Sequence, residues 1–195
     1  MTTIVMFGPP GAGKGTQAQI LANTFGFYHI STGNIFREEI SRKTPLGREV
    51  AEIVRAGELV PDEITVEILR NALQRLPKKR FLLDGFPRTI AQARALDRLL
   101  KGLGESVGVV VSLEVPEEEL IRRLLHRAEV EGRSDDSEEV IRRRFEEYRN
   151  KTAPLLDHYE RQGKLCRVNG VGSVEEVAQR LHRAIAPWLE VQVSS

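Results

Sequence analysis

Short apolar runs alternate with longer amphipathic stretches along most of the chain. Five runs have the length and composition of buried strands, and they cover residues 4–7, 27–31, 80–84, 107–115 and 164–168. Between them, apolar residues recur with helical periodicity over residues 14–25, 34–42, 62–76, 90–100, 116–127, 137–160 and 173–188. Strands that alternate with helices predict an α/β fold, in which helices cover both faces of a five-stranded parallel sheet.

Two segments interrupt this alternation. Residues 31–61 have a helical pattern without a clear strand, and residues 128–136 are polar and irregular. We interpret them as a larger and a smaller flap that emerge from the sheet. The remaining sequence contains no repeat or interdomain linker, so residues 1–195 are predicted to form a single domain.

Composition narrows the class of protein. Of the 195 residues, 41% are hydrophobic and 29% are charged, which is ordinary for a globular protein. The 29 basic and 28 acidic residues give a net charge of +1, which argues against a broad nucleic-acid-binding surface. One cysteine, Cys166, excludes a disulfide framework and a zinc site of four thiolates. The apolar runs are too short for a bilayer and no secretory signal is present, so we expect a cytoplasmic protein without a membrane segment.

A glycine-rich segment follows the first predicted strand and leads directly into the first helix. Residues 8–14 read Gly-Pro-Pro-Gly-Ala-Gly-Lys, which is the spacing of a P-loop. In a P-loop, backbone N–H groups and the helix N-terminus surround a phosphate, and the lysine reaches the β and γ phosphates. The alternative is a glycine-rich turn with a solvated lysine, but the strand–loop–helix context favours the P-loop.

The next positions depart from the general motif. Gly15 stands where Ser or Thr usually follows the lysine, and Thr16 comes one residue later. Magnesium would therefore need more help from water and from another carboxylate. Asp84 ends the third predicted strand, at the edge of the sheet where open α/β proteins bind ligands. It is the candidate for that carboxylate, and the alternative is a turn aspartate before Gly85.

Five motifs, in this order, resemble those of the adenylate kinase family. They are residues 8–17, Ser31-Thr32-Gly33, residues 57–62 (Gly-Glu-Leu-Val-Pro-Asp), residues 84–89 (Asp-Gly-Phe-Pro-Arg-Thr) and residues 132–136 (Gly-Arg-Ser-Asp-Asp). The resemblance implies a P-loop NTPase core and reversible transfer of the terminal phosphoryl group of MgATP to AMP, giving two ADP. It also implies a monomer that needs Mg²⁺, with residues 31–61 as the AMP-binding flap and residues 128–136 as a short lid. That lid has no cysteines, so no zinc is expected there.

The resemblance assigns one set of residues to ATP. These residues lie in the P-loop, on one helix and after the last strand: Gly11, Ala12, Gly13, Lys14, Gly15, Thr16, Arg123, Arg127 and Gly172. Helical phase alone gives a different interpretation of the two arginines. Arg123 lies off the apolar stripe of its helix and Arg127 lies at its edge, so both would be solvated. A structural turn would equally suit the glycines around Val171.

A second set of residues is assigned to AMP by the same resemblance. They are Thr32, Arg37, Glu58, Leu59, Val60, Gly85, Phe86, Pro87, Arg88, Gln92, Arg133 and Arg144. The hydroxyl of Thr32 and the amide of Gln92 match the groups that face adenine, and kinases for pyrimidine monophosphates usually carry alanine at the first position. Without the motifs around them, these two residues would be interpreted as a capping hydroxyl and a surface amide.

Phosphoryl transfer needs cations around the migrating group, and the chain has 22 arginines and 7 lysines. The resemblance implies that the catalytic cations are Lys14, Arg88, Arg127, Arg133 and Arg144. Arg144 also has support from helical phase, because it borders the stripe formed by Ile141, Phe145 and Tyr148. Arg133, taken alone, is a residue of an exposed charged loop. The four histidines are scattered, which predicts neither a metal cluster nor histidine-based catalysis.

Two other functions remain open. A UMP or CMP kinase would share the mechanism, but Thr32 and Gln92 argue against it. A non-catalytic ATP-binding switch protein would have no use for Arg37, Arg88 and a second base site.

Overall fold

The computed structural model describes residues 2–56, 58, 60–77, 80–132 and 137–190. Its strands are β1 (Thr2–Phe7), β2 (Tyr28–Ser31), β3 (Phe81–Asp84), β4 (Ser106–Glu114) and β5 (Leu165–Asn169). Its helices are α1 (Lys14–Phe25), α2 (Thr32–Ser41), α3 (Pro45–Arg55), α4 (Asp62–Arg75), α5 (Ile90–Gly102), α6 (Glu117–Glu131), α7 (Glu138–Arg161) and α8 (Val174–Glu190). The predicted α/β fold with five strands is confirmed.

The strands form one parallel sheet in the order β2-β3-β1-β4-β5. β1 lies at the centre, and its apolar side chains are fully buried. Because all strands run in the same direction, the segments that follow them meet at one edge of the sheet. This edge therefore gathers the glycine-rich loop, Thr32, Asp84 and the loop after Asn169.

Each face of the sheet has its own apolar core. One core contains Val5, Leu83 and Val110 and is covered by α2, α4, α5 and α7. The other contains Met6, Leu82 and Val111 and is covered by α1 and α8. In the described part of the chain, no helix is both long enough and apolar enough to cross a membrane.

Three helices form the region between β2 and β3. The sequence delimited α2 and α4 but left the middle of the 31–61 flap without bounds. That middle is α3, whose N-cap Thr44 accepts a hydrogen bond from the backbone N–H of Gly47 at 2.9 Å. α3 approaches α2 so closely that a Cβ on Gly47 would lie 2.2 Å from the carbonyl oxygen of Glu39.

The smaller flap is less irregular than the sequence predicted. α6 continues to Glu131, so residues 128–131 are helical and the prediction of an irregular segment is wrong there. Gly132 ends the helix in the left-handed conformation with φ 66°, and its backbone N–H donates to the carbonyl of Ala128. Residues 129–131 are exposed, as expected at the end of a helix, and Ala128 is buried. Residues 133–136 lie outside the described residues.

Candidate active site

The glycine-rich loop wraps the N-terminus of α1. Gly11 and Gly13 have φ near +80°, a conformation that favours glycine, and the backbone N–H of Ala12 donates to the carbonyl of Pro9 at 3.1 Å. Gly13 is the N-cap, and no side chain caps the helix. The first N–H groups of α1, together with the positive end of the helix dipole, are suited to bind an anion.

Lys14 begins α1 and pairs with the carboxylate at the end of β3. The Lys14 Nζ atom lies 2.7 Å from Oδ1 of Asp84. The other oxygen, Oδ2, lies 3.1 Å from Nε2 of His29, whose Nδ1 lies 3.1 Å from Oε1 of Gln19. Asp84 is therefore held from two sides, and it fixes the side chain of Lys14 beside the loop.

The environment of Asp84 keeps its carboxyl ionised. Burial by itself would raise the pKa of Asp84, but the hydrogen bonds from His29 and Lys14 and their positive charge together hold this pKa below its usual value of 3.8. An ionised, buried carboxylate at the end of a central strand can bind a cation or a metal-bound water.

A cleft of about 660 Å³ opens in front of this ion pair. Its cationic lining residues include Lys14, Arg88 and Arg144, which three separate elements supply. The rest of the lining comes from the end of β1, the glycine-rich loop, the segment after β3 and α7: Met6, Phe7, Gly8, Pro10, Gly85, Pro87, Glu147, Tyr148, Lys151, Thr152 and Leu155. Several cations in one cleft are suited to a ligand with several phosphates.

The segment after β3 is tied to α2 and α5 by hydrogen bonds. The carbonyl of Gly85 accepts from Oγ of Thr32 at 2.8 Å and from Nε of Arg88 at 3.0 Å. The amide oxygen of Gln92 accepts from the backbone N–H of Arg88 at 2.8 Å, and its nitrogen donates to Asp62 at 2.7 Å. Gly85 has φ +86°, Phe86 is buried, and the Phe86–Pro87 peptide bond is cis. The structure thus brings these predicted residues together.

Three other predicted arginines are paired locally. Arg37 donates to Oδ1 of Asn34. Arg123 lies 2.5 Å from Glu119 and Arg127 lies 3.4 Å from Glu131, in each case on the same helix. Helical phase predicted that the last two are solvated, and their side chains are 42% and 54% exposed.

The remaining predicted positions that the structure describes are not among the residues that line the cleft. Thr16 and Gly15 are exposed in the first turn of α1, and Glu58 is exposed after α3. Val60 is half-buried against the core, and Gly172 adopts φ 127° in the loop before α8. Leu59 and Arg133 lie outside the described residues.

Comparison with known proteins agrees with this geometry. A sequence model described as adenylate kinase matches residues 6–164. An adenylate kinase of Thermus thermophilus is 53% identical over 182 residues, which cover 93% of this chain and 96% of that protein. An adenylate kinase of Thermobifida fusca is 50% identical, over 93% of this chain and 97% of that protein. An adenylate kinase of Parabacteroides distasonis is 45% identical, over 95% of this chain and 98% of that protein.

The chain belongs to the adenylate kinase family. The resemblance that the five motifs carry is confirmed, and with it the function of an adenylate kinase and the enzyme class, a nucleoside monophosphate kinase that transfers phosphoryl groups. The P-loop NTPase architecture expected for this family is the one observed.

Sequence reasoning missed several residues at this adenylate kinase site. His29 contacts Asp84 because β2 and β3 are neighbours: His29 pairs with Leu82, and in a parallel pair the side chain two positions along lies on the same face. The sequence pattern predicted both strands, but the contact between His29 and Asp84 becomes evident only once the order of the strands in the sheet is known. Tyr148 and Lys151 lie on the cleft side of α7. Burial, and to a smaller extent the charge of Glu114, raise the pKa of Tyr148 to about 12 despite its hydrogen bond with Thr152, so its phenol stays neutral.

Proposed function

We propose that this protein catalyses reversible transfer of the terminal phosphoryl group of MgATP to AMP, giving two ADP. The observation that carries the proposal is that Lys14, Arg88 and Arg144 line one cleft together with residues of the P-loop and of the segment after β3. Two nucleotides that meet end to end bring their phosphates into the middle of such a cleft, where the cations offset their mutual repulsion.

The donor half of the site is the loop around the N-terminus of α1. Backbone N–H groups from Gly11 to Thr16 bind the β phosphate of ATP, and Lys14 moves from Asp84 toward the β and γ phosphates. The loop that contains Gly172 borders the adenine. Arg123 and Arg127 exchange their glutamate partners for the phosphates of ATP, which costs little because exposed ion pairs are weak.

The acceptor half lies between α2 and the segment after β3. The hydroxyl proton of Thr32 is donated to Gly85, so its lone pairs remain to accept from the amino group of adenine. The amide of Gln92 keeps one donor and one acceptor position after its bonds to Asp62 and Arg88. Arg88 and Arg37 bind the phosphate of AMP, and Glu58, Leu59, Val60, Phe86 and Pro87 surround its base and ribose.

Mg²⁺ fits the residues that surround this cleft. Among the described residues no three histidine, cysteine or acidic side chains converge to hold a metal ion, and Asp84 supplies one buried carboxylate. Magnesium prefers this arrangement, since it keeps several waters and takes one or two carboxylates together with substrate phosphates. Asp84 would hold the metal through a bound water. When bound, Mg²⁺ neutralises charge on the β and γ phosphates.

The transfer needs no covalent intermediate on the protein. Lys14, Arg88 and Arg144 orient the donor and acceptor oxygens in line and offset the charge on the equatorial oxygens. Residues 128–136, the short lid, bring Arg127 and Arg133 over the migrating group, and residues 31–61 close over AMP. Closure excludes water, which would otherwise accept the phosphoryl group. The enzyme is proposed to work as a monomer in the cytoplasm, and sedimentation and cell fractionation test these two points.

A coupled assay of ADP formation tests the function. MgATP is the donor, and AMP, CMP, UMP or GMP is supplied separately as acceptor. Rapid turnover with AMP and slow turnover with the others supports both the transfer and the roles of Thr32 and Gln92. Turnover that favours a pyrimidine monophosphate would keep the mechanism and overturn the choice of acceptor. Folded protein that binds ATP but turns over no acceptor would point to a switch protein.

A further inference from the structure

The loop between β5 and α8 is held by an arginine that has no place in the site described so far. Arg180 lies on α8, two turns beyond the loop. Its Nη1 atom donates to the backbone carbonyl of Asn169 at 2.9 Å and also to the carbonyl of Val171. Its Nη2 atom lies 3.7 Å from the carboxylate of Glu176, one turn earlier on the same helix. One guanidinium group therefore binds two carbonyls of the loop and a counter-ion.

The remaining bonds of this loop leave it little freedom. The backbone N–H of Val171 donates to Oδ1 of Asn169 at 2.9 Å, and the N–H of Gly170 donates to the carbonyl of Glu114 at 2.8 Å. The backbone also packs tightly, because a Cβ on Gly170 would lie 2.8 Å from a methyl group of Val115. Without the guanidinium, the carbonyls of Asn169 and Val171 would converge with no cation between them, and the loop would open.

This loop is also joined to the helix that begins at the P-loop. The side-chain nitrogen of Gln17, one turn after Lys14, donates to the backbone carbonyl of Val174 at 3.0 Å. Gln17 is buried, so this contact is shielded from water. The loop therefore sits at a fixed place beside the phosphate site, and its shape determines where the far end of a bound nucleotide rests.

We propose that Arg180 is a positioning residue for the base of the phosphoryl donor. It shapes the backbone of residues 169–172 into the surface on which the adenine of ATP packs, and it does so without touching the nucleotide. The planar fork of arginine suits this role, since it can reach two carbonyls and a carboxylate in fixed directions. The inference rests on the proposed function, because it requires ATP as the donor.

Steady-state kinetics of three variants test the proposal. Arg180→Met keeps the apolar stem and removes the donors, Arg180→Lys keeps the charge without the fork, and Arg183→Met is the matched control on an exposed position of the same helix. We expect Arg180→Met to raise the KM for MgATP about 3- to 10-fold, which is less than the usual effect of a lost charged hydrogen bond, because Arg180 is partly exposed. The KM for AMP and kcat should stay within about twofold. The KM of Arg180→Lys for MgATP should lie between those of the parent and Arg180→Met, and the KM of Arg183→Met should match that of the parent.

A donor without a base separates positioning of the base from general damage. Inorganic triphosphate with Mg²⁺ is used as a competitive inhibitor against MgATP. It occupies the phosphate site alone, so its Ki should be the same in the parent enzyme and in Arg180→Met. If the Ki rises by the same factor as the KM for MgATP, the arginine acts on the phosphate site and the proposal is overturned. An unchanged KM for MgATP in an active Arg180→Met enzyme overturns it as well.

The proposed function and this inference fail in distinguishable ways. A parent protein that forms no ADP from MgATP and AMP contradicts the proposed function. An active parent with an Arg180→Met variant that has normal kinetics contradicts the inference alone. If Arg180→Met does not fold, Asn169→Ala decides the question, because it removes the bond to the Val171 N–H and leaves Arg180 in place. It should raise the KM for MgATP and leave the Ki of triphosphate unchanged, and normal kinetics in that variant overturn the inference.

Discussion

The ion pair between Lys14 and Asp84 gives the sharpest test at the scale of single residues. Lys14→Met removes the cation that is proposed to offset the negative charge of the phosphates during transfer. Loss of one such electrostatic contact typically lowers kcat by about 10²- to 10³-fold. We expect a reduction of that size in the coupled assay, with the fold retained by circular dichroism. Lys101→Met, at an exposed position of α5, is the control. Undiminished turnover in Lys14→Met would remove this lysine from the mechanism.

Asp84 should make stability depend on pH in one direction. Its pKa lies below 3.8 in the folded protein, so its ionised form stabilises the fold at pH values above 3.8. That contribution disappears as the pH falls through the folded pKa. We therefore expect the free energy of unfolding of the parent to exceed that of Asp84→Asn at pH 6, and the difference to shrink as the pH falls below 3.8. Urea unfolding at a series of pH values measures this, and a difference that does not change with pH would contradict it.

Thr32 should determine the choice of acceptor base. Its hydroxyl donates to Gly85 and can accept from an amino group, so Thr32→Ala removes the acceptor that is proposed to face the AMP base. We expect a lower ratio of kcat/KM for AMP over CMP and UMP, by about tenfold for one neutral hydrogen bond worth about 1 kcal/mol or somewhat more. Thr24→Ala, on an exposed turn of α1, serves as the control. An unchanged ratio would leave no role for Thr32 in selectivity.

Residues of the site that belong to a local sequence motif could be predicted, and residues whose contacts join distant parts of the chain could not. Lys14, Asp84 and Arg88 were predictable because each belongs to a local motif at the end of a strand. His29 and Arg180 were not predictable. The contact of His29 with Asp84 depends on which strands are neighbours, and the contacts of Arg180 depend on how the loop before α8 folds back on that helix. Arg142 has one contact of each kind. Its bond to Glu138 could be predicted from helical spacing, but its contact with Glu118 at 3.0 Å joins α7 to α6 and could not.

At the scale of elements, helices and strands were predictable where the apolar pattern is long and has clear ends. The bounds of α1 were predicted correctly, since a glycine ends it at each side. α3 was not delimited, because Gly47 interrupts its apolar face where it touches α2. The end of α6 was placed too early, because the predicted helix stopped before residues 128–131, and only Gly132 marks where it ends.

The close contact between α2 and α3 predicts an effect of one methyl group. Gly47→Ala would place a Cβ 2.2 Å from the carbonyl oxygen of Glu39, so the two helices must separate. We expect a loss of about 1–3 kcal/mol in the free energy of unfolding, as for overpacked cores. Gly102→Ala is the matched control, because its Cβ meets nothing within 4 Å and alanine favours a helix by up to about 1 kcal/mol. Urea unfolding measures both, and equal stability of the two variants would contradict the packing argument.

At the scale of the whole molecule, the proposed function requires two nucleotides bound together in one cleft. A compound that joins two adenosines through a polyphosphate chain fills both halves of that cleft and binds only the folded protein. At a concentration 100 times its Kd it should stabilise the fold by about 2.7 kcal/mol. For a chain of this size each kcal/mol shifts Tm by about 2–4 °C, so Tm should rise by about 5–11 °C, which is more than ATP or AMP alone should give at that same concentration.

The same melting experiment separates the rival functions. An ATP-binding switch protein has one nucleotide site, so the joined compound would stabilise it no more than ATP does. A pyrimidine monophosphate kinase would instead gain more from a compound that joins adenosine to uridine. Arg88→Met supplies the internal control, because it weakens the acceptor half and leaves the P-loop unchanged. In that variant the advantage of the joined compound over ATP should shrink while the shift produced by ATP persists, and equal shifts in parent and variant would contradict the assignment of Arg88 to the acceptor.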